Sequence, residues 1–327
     1  MVDSCTPPGE CIGWKGYMMV DGHTMPYLSS DFSEKIMSIP AEDIHGGGVG
    51  TTHGSYHSLI NAAEGQIMYD GSIKGNVYVG AATTGFTGAF RELLKRAIGG
   101  SATNTTLREC GFDGTHPLII SYGGCGYDGY AAARYPEAST GRAVIDTFTL
   151  NGNLGGLVTW DAQIVASSQG DTDLAPVYTD FTFESGTDLG AGTPVPYFES
   201  SWAFSALGEA DVADRIIDWN LTIKNETIAQ FTFNGERHPR DIYVGQLKVD
   251  ASVTYYSDSE SFSSLTNGSV ATLTLGVGLG ADATVLRMPY MVLKERPISV
   301  SGPNDLAKRT INFYGLGNST GGSIYIV

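Results

Sequence analysis

The chain has 327 residues, of which 42% are hydrophobic and 17% charged, so a disordered chain is excluded and a substantial core is expected. Its 19 Lys and Arg against 35 Asp and Glu give a formal net charge of −16, which argues against gripping nucleic acid through clustered cations. No basic region followed by an apolar run opens the sequence, so we expect a soluble protein made in a cytoplasm.

The four cysteines do not predict a structural site. Cys5, Cys11, Cys110 and Cys125 are too few and too irregularly spaced for a disulfide framework or a structural zinc site. We expect reduced, packed thiols, with closure of a loop between Cys5 and Cys11 as the alternative.

The N-terminal part of the chain is predicted to be irregular. Residues 1–45 show no firm periodicity and are interpreted as an arm, and the glycine-rich residues 45–57 as a mobile loop. Two strands at 66–69 and 73–79 then flank Asp70-Gly71, a pair of residues that predicts a hairpin.

One amphipathic helix is predicted over residues 87–98. Thr87 is interpreted as its N-cap, and Gly99-Gly100 supplies a left-handed stop. Apolar residues recur at helical spacing: Phe90, Leu93, Leu94, Ala97 and Ile98. This apolar stripe is expected to pack on a sheet.

The most informative pattern is a strand written twice. Residues 156–165 are echoed by residues 245–254, and in both copies apolar residues alternate with polar ones. Each copy follows another alternating strand with a matching apolar pair: Phe148 and Leu150 in the first, Leu221 and Ile223 in the second. A period of two predicts strands with one buried and one wet face, which suits an antiparallel sheet.

Further strand-length segments predict a mainly β fold, a sandwich or barrel with one flanking helix and long loops. They lie at 117–122, 216–223, 230–233, 242–256, 271–277, 290–294, 310–314 and 323–327. A polar stretch at 167–173 separates a first β-rich half, 46–168, from a second, 169–327. Together the halves are interpreted as one elaborated domain with an internal pseudo-repeat.

No motif assembles a catalytic site. Residues 317–321 match the nucleophile-elbow pattern G-x-S-x-G, but neither an acid nor a histidine follows Ser319, so chain order excludes a hydrolase triad. Residues 276–281 faintly resemble a dinucleotide loop, but Pro289 prevents a long helix after them, so a turn is predicted.

Metal binding is not predicted either. His45, His53 and His57 lie in a glycine-rich segment rather than on a helix and are interpreted as loop or interface histidines. Asp171 and Asp173 lack the remaining ligands of a calcium loop. We therefore predict no enzyme, with no catalytic, cofactor-binding or metal-binding residues.

A carbohydrate-binding or carbohydrate-cleaving β-protein is an alternative. Three tryptophans could stack on sugars, and three acids could act as carboxylates: Trp160, Trp202 and Trp219, with Asp161, Asp218 or Glu199. Trp160 stands on the apolar side of its strand, which favours core packing there.

Four segments carry a likeness to a known family. In chain order they are 71–75 (GSIKG) leading into the helix and its Gly99-Gly100 stop; 115–120 (THPLII) through 144–150 (VIDTFTL) to Val165; 218–225 (DWNLTIKN) through 235–242 (GERHPRDI) into 245–254; and 304–306 (NDL) with 311–313 (INF). In combination, over about residues 65–315, they resemble the tail tube (major tail) proteins of long-tailed bacteriophages.

The resemblance implies a structural virion protein that polymerises into stacked rings, usually of six subunits, to form a tail tube. The tube would conduct double-stranded DNA and pack a tape-measure protein through an acidic lumen. Its partners would be itself, the tape-measure protein, a tail terminator and baseplate or tip proteins, without membrane, with assembly in the host bacterial cytoplasm. A pseudo-sixfold ring of three chains is the alternative if each half is a complete tube domain. Another virion structural protein, a decoration or terminator protein, is the alternative function.

Overall fold

Antiparallel strands dominate this computed structural model. It describes residues 16–20, 23–25, 28–40, 62–80, 85–98, 120–124, 133–135, 142–168, 193–205, 215–232, 237–256, 268–278, 283–295, 297–299, 306–316 and 323–326.

The first half contains nine strands and one α-helix among its described residues. They are β1 (Gly16–Val20), β2 (His23–Met25), β3 (Ser29–Pro40), β4 (Ala62–Asn76), β5 (Tyr78–Val79), α1 (Gly85–Ile98), β6 (Ile120–Gly124), β7 (Ala133–Tyr135), β8 (Ala143–Asn153) and β9 (Thr159–Ala166).

The second half contributes eleven strands among its described residues. They are β10 (Thr193–Pro194), β11 (Ser200–Ser205), β12 (Ile216–Lys224), β13 (Thr227–Gln230), β14 (Asp241–Val244), β15 (Lys248–Tyr256), β16 (Val270–Val277), β17 (Thr284–Glu295), β18 (Ile298–Ser299), β19 (Lys308–Gly315) and β20 (Tyr325–Ile326). A short 3-10 turn, Tyr197–Glu199, precedes β11.

The main sheet joins both halves in the order β11-β16-β17-β19-β15-β12-β8-β9-β4-β3, with β18 on β19 and β20 on β17. A four-stranded sheet, β2-β1-β6-β7, and two short ladders, β5 with β10 and β13 with β14, accompany it. Every strand pair in the described part of the chain is antiparallel, as in Leu221 opposite Leu150. The predicted mainly β fold with one α-helix is therefore confirmed.

The repeated strands lie symmetrically in the sheet. They are β9 and β15, and the strands that precede them, β8 and β12, pair with each other at the centre. Thr149 lies opposite Thr222, its counterpart in the repeat. On either side, Phe148 faces Ala162 and Leu221 faces Ala251, so the two copies keep the same register. The repeat is thus a local two-fold rotation about an axis through the Thr149–Thr222 pair, and it reverses the strand direction.

The sheet folds back on itself into two layers. Trp202 on β11 packs edge-on against Trp219 on β12, with ring centroids 5.8 Å apart. Phe204 on β11 packs against Phe313 on β19, with ring centroids 6.3 Å apart. Aromatic pairs at these separations contribute beyond the area they bury, so this contact closes the sandwich. Helix α1 covers the same inner face at β8, since the rings of Phe90 and Phe148 pack with their centroids 6.4 Å apart.

Two glycines make room for the buried tryptophans. Gly75 lies opposite Trp160, and a Cβ atom on it would stand 2.5 Å from the indole ring. A Cβ atom on Gly152 would stand 2.3 Å from Nε1 of Trp219. Both indoles therefore lie flat on a neighbouring backbone, which no other residue type at these two positions permits without displacing the ring.

The structure corrects three local predictions. Asp70-Gly71 is not a hairpin turn, because β4 runs unbroken from Ala62 to Asn76 and pairs with β3 along its length. Residues 16–40, predicted to be irregular, contain three strands. Helix α1 begins at Gly85, so Thr87 lies within it and is not the N-cap.

In the described ranges, no helix is long and apolar enough to cross a membrane.

Candidate functional site

The outer face of the main sheet is a continuous polar surface. It covers the seven consecutive strands from β19 to β3, whose inner faces carry the buried apolar residues. The outward positions are occupied mainly by Thr, Asn, Ser and Asp: Asp31, Ser33, Ser72, Thr149, Asn151, Thr159, Asp161, Gln163, Asn220, Thr222, Asp250, Ser252, Thr254, Thr310 and Asn312. We refer to this surface as the polar face.

Side chains of the polar face bond to one another across and along the strands. At its centre the Asn220 amide donates across to Asn151 Oδ1 at 2.6 Å, and within β12 Thr222 Oγ1 donates to Asn220 Oδ1 at 3.0 Å. Toward β19 the hydroxyls of Thr254 and Thr310 are 3.0 Å apart. Such cross-strand pairs stabilise the sheet and leave fewer groups to bind a passing ligand.

Two lysines on the polar face are paired with carboxylates. Lys74 Nζ lies 2.9 Å from Asp161 Oδ2, and Lys35 forms an ion pair with Asp70. The Asp161 carboxylate raises the pKa of Lys74. At the β3 edge, the Ser72 hydroxyl and then its N–H donate to Asp31 and lower the pKa of that carboxyl. Both lysines are therefore paired with a carboxylate on a neighbouring strand of the sheet.

A joint of buried polar contacts fixes the hairpin β13–β14 to the sheet. Asn225 is buried, and its amide donates to the carbonyl oxygens of Ala97, at 3.0 Å, and Ile145, at 2.7 Å. Asp146 lies at a bulge in β8 and accepts from the N–H and hydroxyl of Thr227, at 2.9 and 2.7 Å. The end of α1, the bulge and the base of the hairpin are thus held together.

The same joint gives a pH-dependent prediction. Burial of Asp146 opposes its ionisation, but the bonds from Thr227 and Thr147 outweigh burial and lower its pKa below the ordinary 3.8. A lowered pKa in the folded state means that the stability from this carboxylate is present above the unfolded pKa and is lost as pH falls through the folded value.

We expect wild type to be more stable than Asp146→Asn at neutral pH and the difference to shrink below about pH 4. Urea unfolding of both proteins from pH 6 to pH 2 measures this. A difference that stays constant over the whole range would contradict it.

The structure overturns the carbohydrate alternative. Trp160, Trp202 and Trp219 are all buried, so none offers a face on which a sugar could stack. Trp160 instead donates to the Asn76 carbonyl at 2.9 Å, and its predicted place in the core is confirmed. Asp161 is held by Lys74 on the polar face.

The acids Asp218 and Glu199 lie at the end of the sheet near the β8–β9 turn, away from the Lys74–Asp161 pair. Burial raises the pKa of Asp218.

Gly276 lies in β16, whose partner β17 follows as a strand and not a helix, so the dinucleotide interpretation is excluded.

Several predicted positions lie outside the described residues: His45, His53, His57, Asp171, Asp173 and Ser319. Within the described part of the chain, no group of three His, Cys, Asp or Glu side chains is placed to hold a metal ion.

Sequence reasoning did not identify the polar face. Its signal was present in the polar half of each alternating strand, such as Thr159, Asp161 and Gln163 in β9. The alternating pattern does not specify the order of the strands in the sheet, and it is this order that places the short polar rows side by side.

The fold and its surfaces define a class of protein: a β-sandwich wall with an aromatic core and a broad, internally bonded polar face. A family model for the phage tail tube protein matches residues 58–315, most of the chain. The chain therefore belongs to the phage tail tube protein family. It is a structural protein of a phage tail, and it assembles with itself and other tail proteins into a tube. A comparison with curated proteins finds no match.

Proposed function

We propose that this protein forms stacked rings whose polar face lines the lumen of the tail tube and conducts double-stranded DNA. The observation that carries the proposal is the polar face itself. A lumen wall has to be wetted and must not hold phosphates, which are bound by clustered free cations. Here hydroxyls and amides bond to one another, and Lys35 and Lys74 are paired with carboxylates.

The proposed acidic lumen takes a specific form on this surface. Asp70 and Asp161 are paired with lysines, so they add little net charge to the polar face. Asp31 and Asp250 also lie on the polar face, so the repulsion of phosphate comes from these carboxylates together with the charge of the whole chain, −16. The same tube packs a tape-measure protein, ends at a terminator and joins baseplate or tip proteins, and it assembles in the host bacterial cytoplasm.

We propose six chains in each ring. In a ring of three chains, the two halves would be successive units related by a rotation of about 60° around the tube axis. The repeat instead follows a local two-fold rotation through the Thr149–Thr222 pair, which reverses the strand direction. This supports one chain as one sector of the ring, and it supports a single elaborated domain over two tube domains.

The expected result for the purified chain is the formation of hollow tubes or rings without any other component. The physical reason is that each copy can offer two different surfaces to identical neighbours, which closes a ring and extends it into a tube. Negative-stain microscopy and analytical ultracentrifugation over a series of protein concentrations measure this. A stable monomer at high concentration would contradict the tube and favour a decoration protein.

A further inference from the structure

One end of the main sheet displays an apolar patch. Leu154 and Leu157, in the turn between β8 and β9, are 64% and 40% exposed. Phe198, in the neighbouring 3-10 turn, is 80% exposed. Leu157 pairs with Pro196, which places the two turns side by side. We refer to these three residues as the turn patch; exposed apolar groups of this kind mark interaction surfaces.

The turn patch is held rigidly. The Tyr197 N–H donates to the Gly156 carbonyl at 2.9 Å, and its hydroxyl donates to the Ile216 carbonyl. Burial and then the Asp218 charge raise the pKa of Tyr197 to about 12, so the donating proton is retained at physiological pH. Ser200 Oγ donates to the Tyr197 carbonyl at 2.6 Å and accepts from Trp219 Nε1 at 3.1 Å. These bonds fix the backbone that carries Phe198, so the turn itself loses little conformational freedom on binding.

The opposite end of the sheet carries a second apolar patch. Ile228 on β13 and Tyr243 on β14 lie directly opposite each other and are 63% and 50% exposed. A two-stranded hairpin is marginal by itself, but this one is anchored by Asn225 and Asp146. We refer to this pair as the hairpin patch.

The local two-fold rotation relates the two patches. The turn patch lies mainly on the connection between β8 and β9, and the hairpin patch on the connection between β12 and β15. These are counterparts in the repeat, and because the rotation reverses strand direction, they lie at opposite ends of the sheet. Copies stacked in the same orientation along the strand direction would therefore bring a turn patch of one copy to the hairpin patch of the next.

We infer that the turn patch of each subunit docks on the hairpin patch of a second copy in the next ring, which makes these patches the axial contact of the tube. The inference rests on the proposed function. Charge is complementary: Glu199 and Asp218 lie beside the turn patch. At the hairpin, Glu226 and Asp241 are paired with Lys248 and Arg142, and the further cations Lys224 and Arg240 leave this end with a positive excess. A contact between two different surfaces is heterologous and extends without limit, as a tube requires.

The experiment uses two double variants of the full chain. The turn variant is Leu154→Glu with Phe198→Glu, and the hairpin variant is Ile228→Glu with Tyr243→Glu. Each is expected to lose tubes and leave single rings in negative-stain images, because an added carboxylate must be buried in the axial contact. Leu154→Met with Phe198→Tyr is the matched control, which keeps the apolar area and should form tubes.

Mixing the two variants tests the pairing itself. The hairpin variant keeps an intact turn patch and the turn variant an intact hairpin patch, so a mixture is expected to form stacked pairs of rings that stop at two. Single rings in the mixture would overturn the proposed pairing. Tubes from either variant alone, at wild-type length, would overturn the inference and leave the proposed function standing. If wild type itself forms no tubes, the proposed function fails as well.

Folding of the variants is checked by circular dichroism and thermal unfolding. The substituted side chains are exposed, so wild-type melting is expected. Should either glutamate variant fail to fold, the corresponding double serine variant replaces it, with the same outcomes deciding the inference.

Discussion

Replacing Trp219 by alanine is expected to lower the free energy of unfolding by about 3–5 kcal/mol, the range for a fully buried large aromatic side chain. The indole contacts both layers of the sandwich, since it lies flat on Gly152 and edge-on against Trp202. Its Nε1 also donates to Ser200 Oγ at 3.1 Å. The substitution therefore leaves a cavity where the sheet closes on itself and removes a support of the turn patch.

Guanidinium unfolding followed by far-UV circular dichroism measures this loss, at one protein concentration for all variants because assembly shifts apparent stability. Leu306→Ala is the control: it removes an apolar side chain that is 64% exposed and lies outside both patches, so it should change stability by less than about 0.5 kcal/mol. Similar losses for both variants would mean that Trp219 does not close the core.

Replacing Asn225 by alanine is expected to cost about 2–6 kcal/mol, because two buried carbonyls lose their donor and each unpaired group costs about 1–3 kcal/mol. Those carbonyls belong to Ala97, in the last turn of α1, and Ile145, beside the bulge in β8. Loss of the amide loosens helix, bulge and hairpin together. The effect should therefore extend beyond the substituted position.

Hydrogen exchange distinguishes this joint from a general loss of stability. After correction for the change in global unfolding, amides of β13, β14 and the end of α1 should exchange faster in Asn225→Ala than in wild type. Amides of β15 should show a smaller increase in exchange rate. Asn153→Ala, at an exposed position, is the matched control and should leave both stability and exchange unchanged. Uniformly faster exchange in every strand would argue against a local joint.

Glycine and polar residues inside a strand are easily mistaken for a turn in the sequence. Asp70-Gly71 has the composition of a turn, yet it lies in the middle of β4. A Cβ atom on Gly71 would stand 2.1 Å from the Asp31 carbonyl, and Asp70 pairs with Lys35 on the neighbouring strand. Glycine is therefore required at this position because the β3 backbone approaches closely. The approaching residue is distant in sequence, so the residues around Gly71 do not reveal this contact.

The candidate site shows the same limit. Alternation along β8, β9, β12 and β15 was sufficient to predict which residues turn outward. It did not predict that Asn220 would meet Asn151, 69 positions away in the chain. Likewise, Leu154, Phe198 and Tyr243 are ordinary apolar residues in the sequence, and only their exposure on two turns and a hairpin strand makes them candidates for a contact.

The sequence by itself determined the β class, the amphipathic helix, the buried place of Trp160 and the existence of a repeat, because each depends on local periodicity of two or 3.6 residues. The tertiary structure decided how the repeats meet. Thr149 and Thr222 are 73 positions apart, and only strand pairing places them on a common two-fold axis. Strand order is set by packing of distant residues, so the polar face and the two apolar patches emerge with the folded sheet.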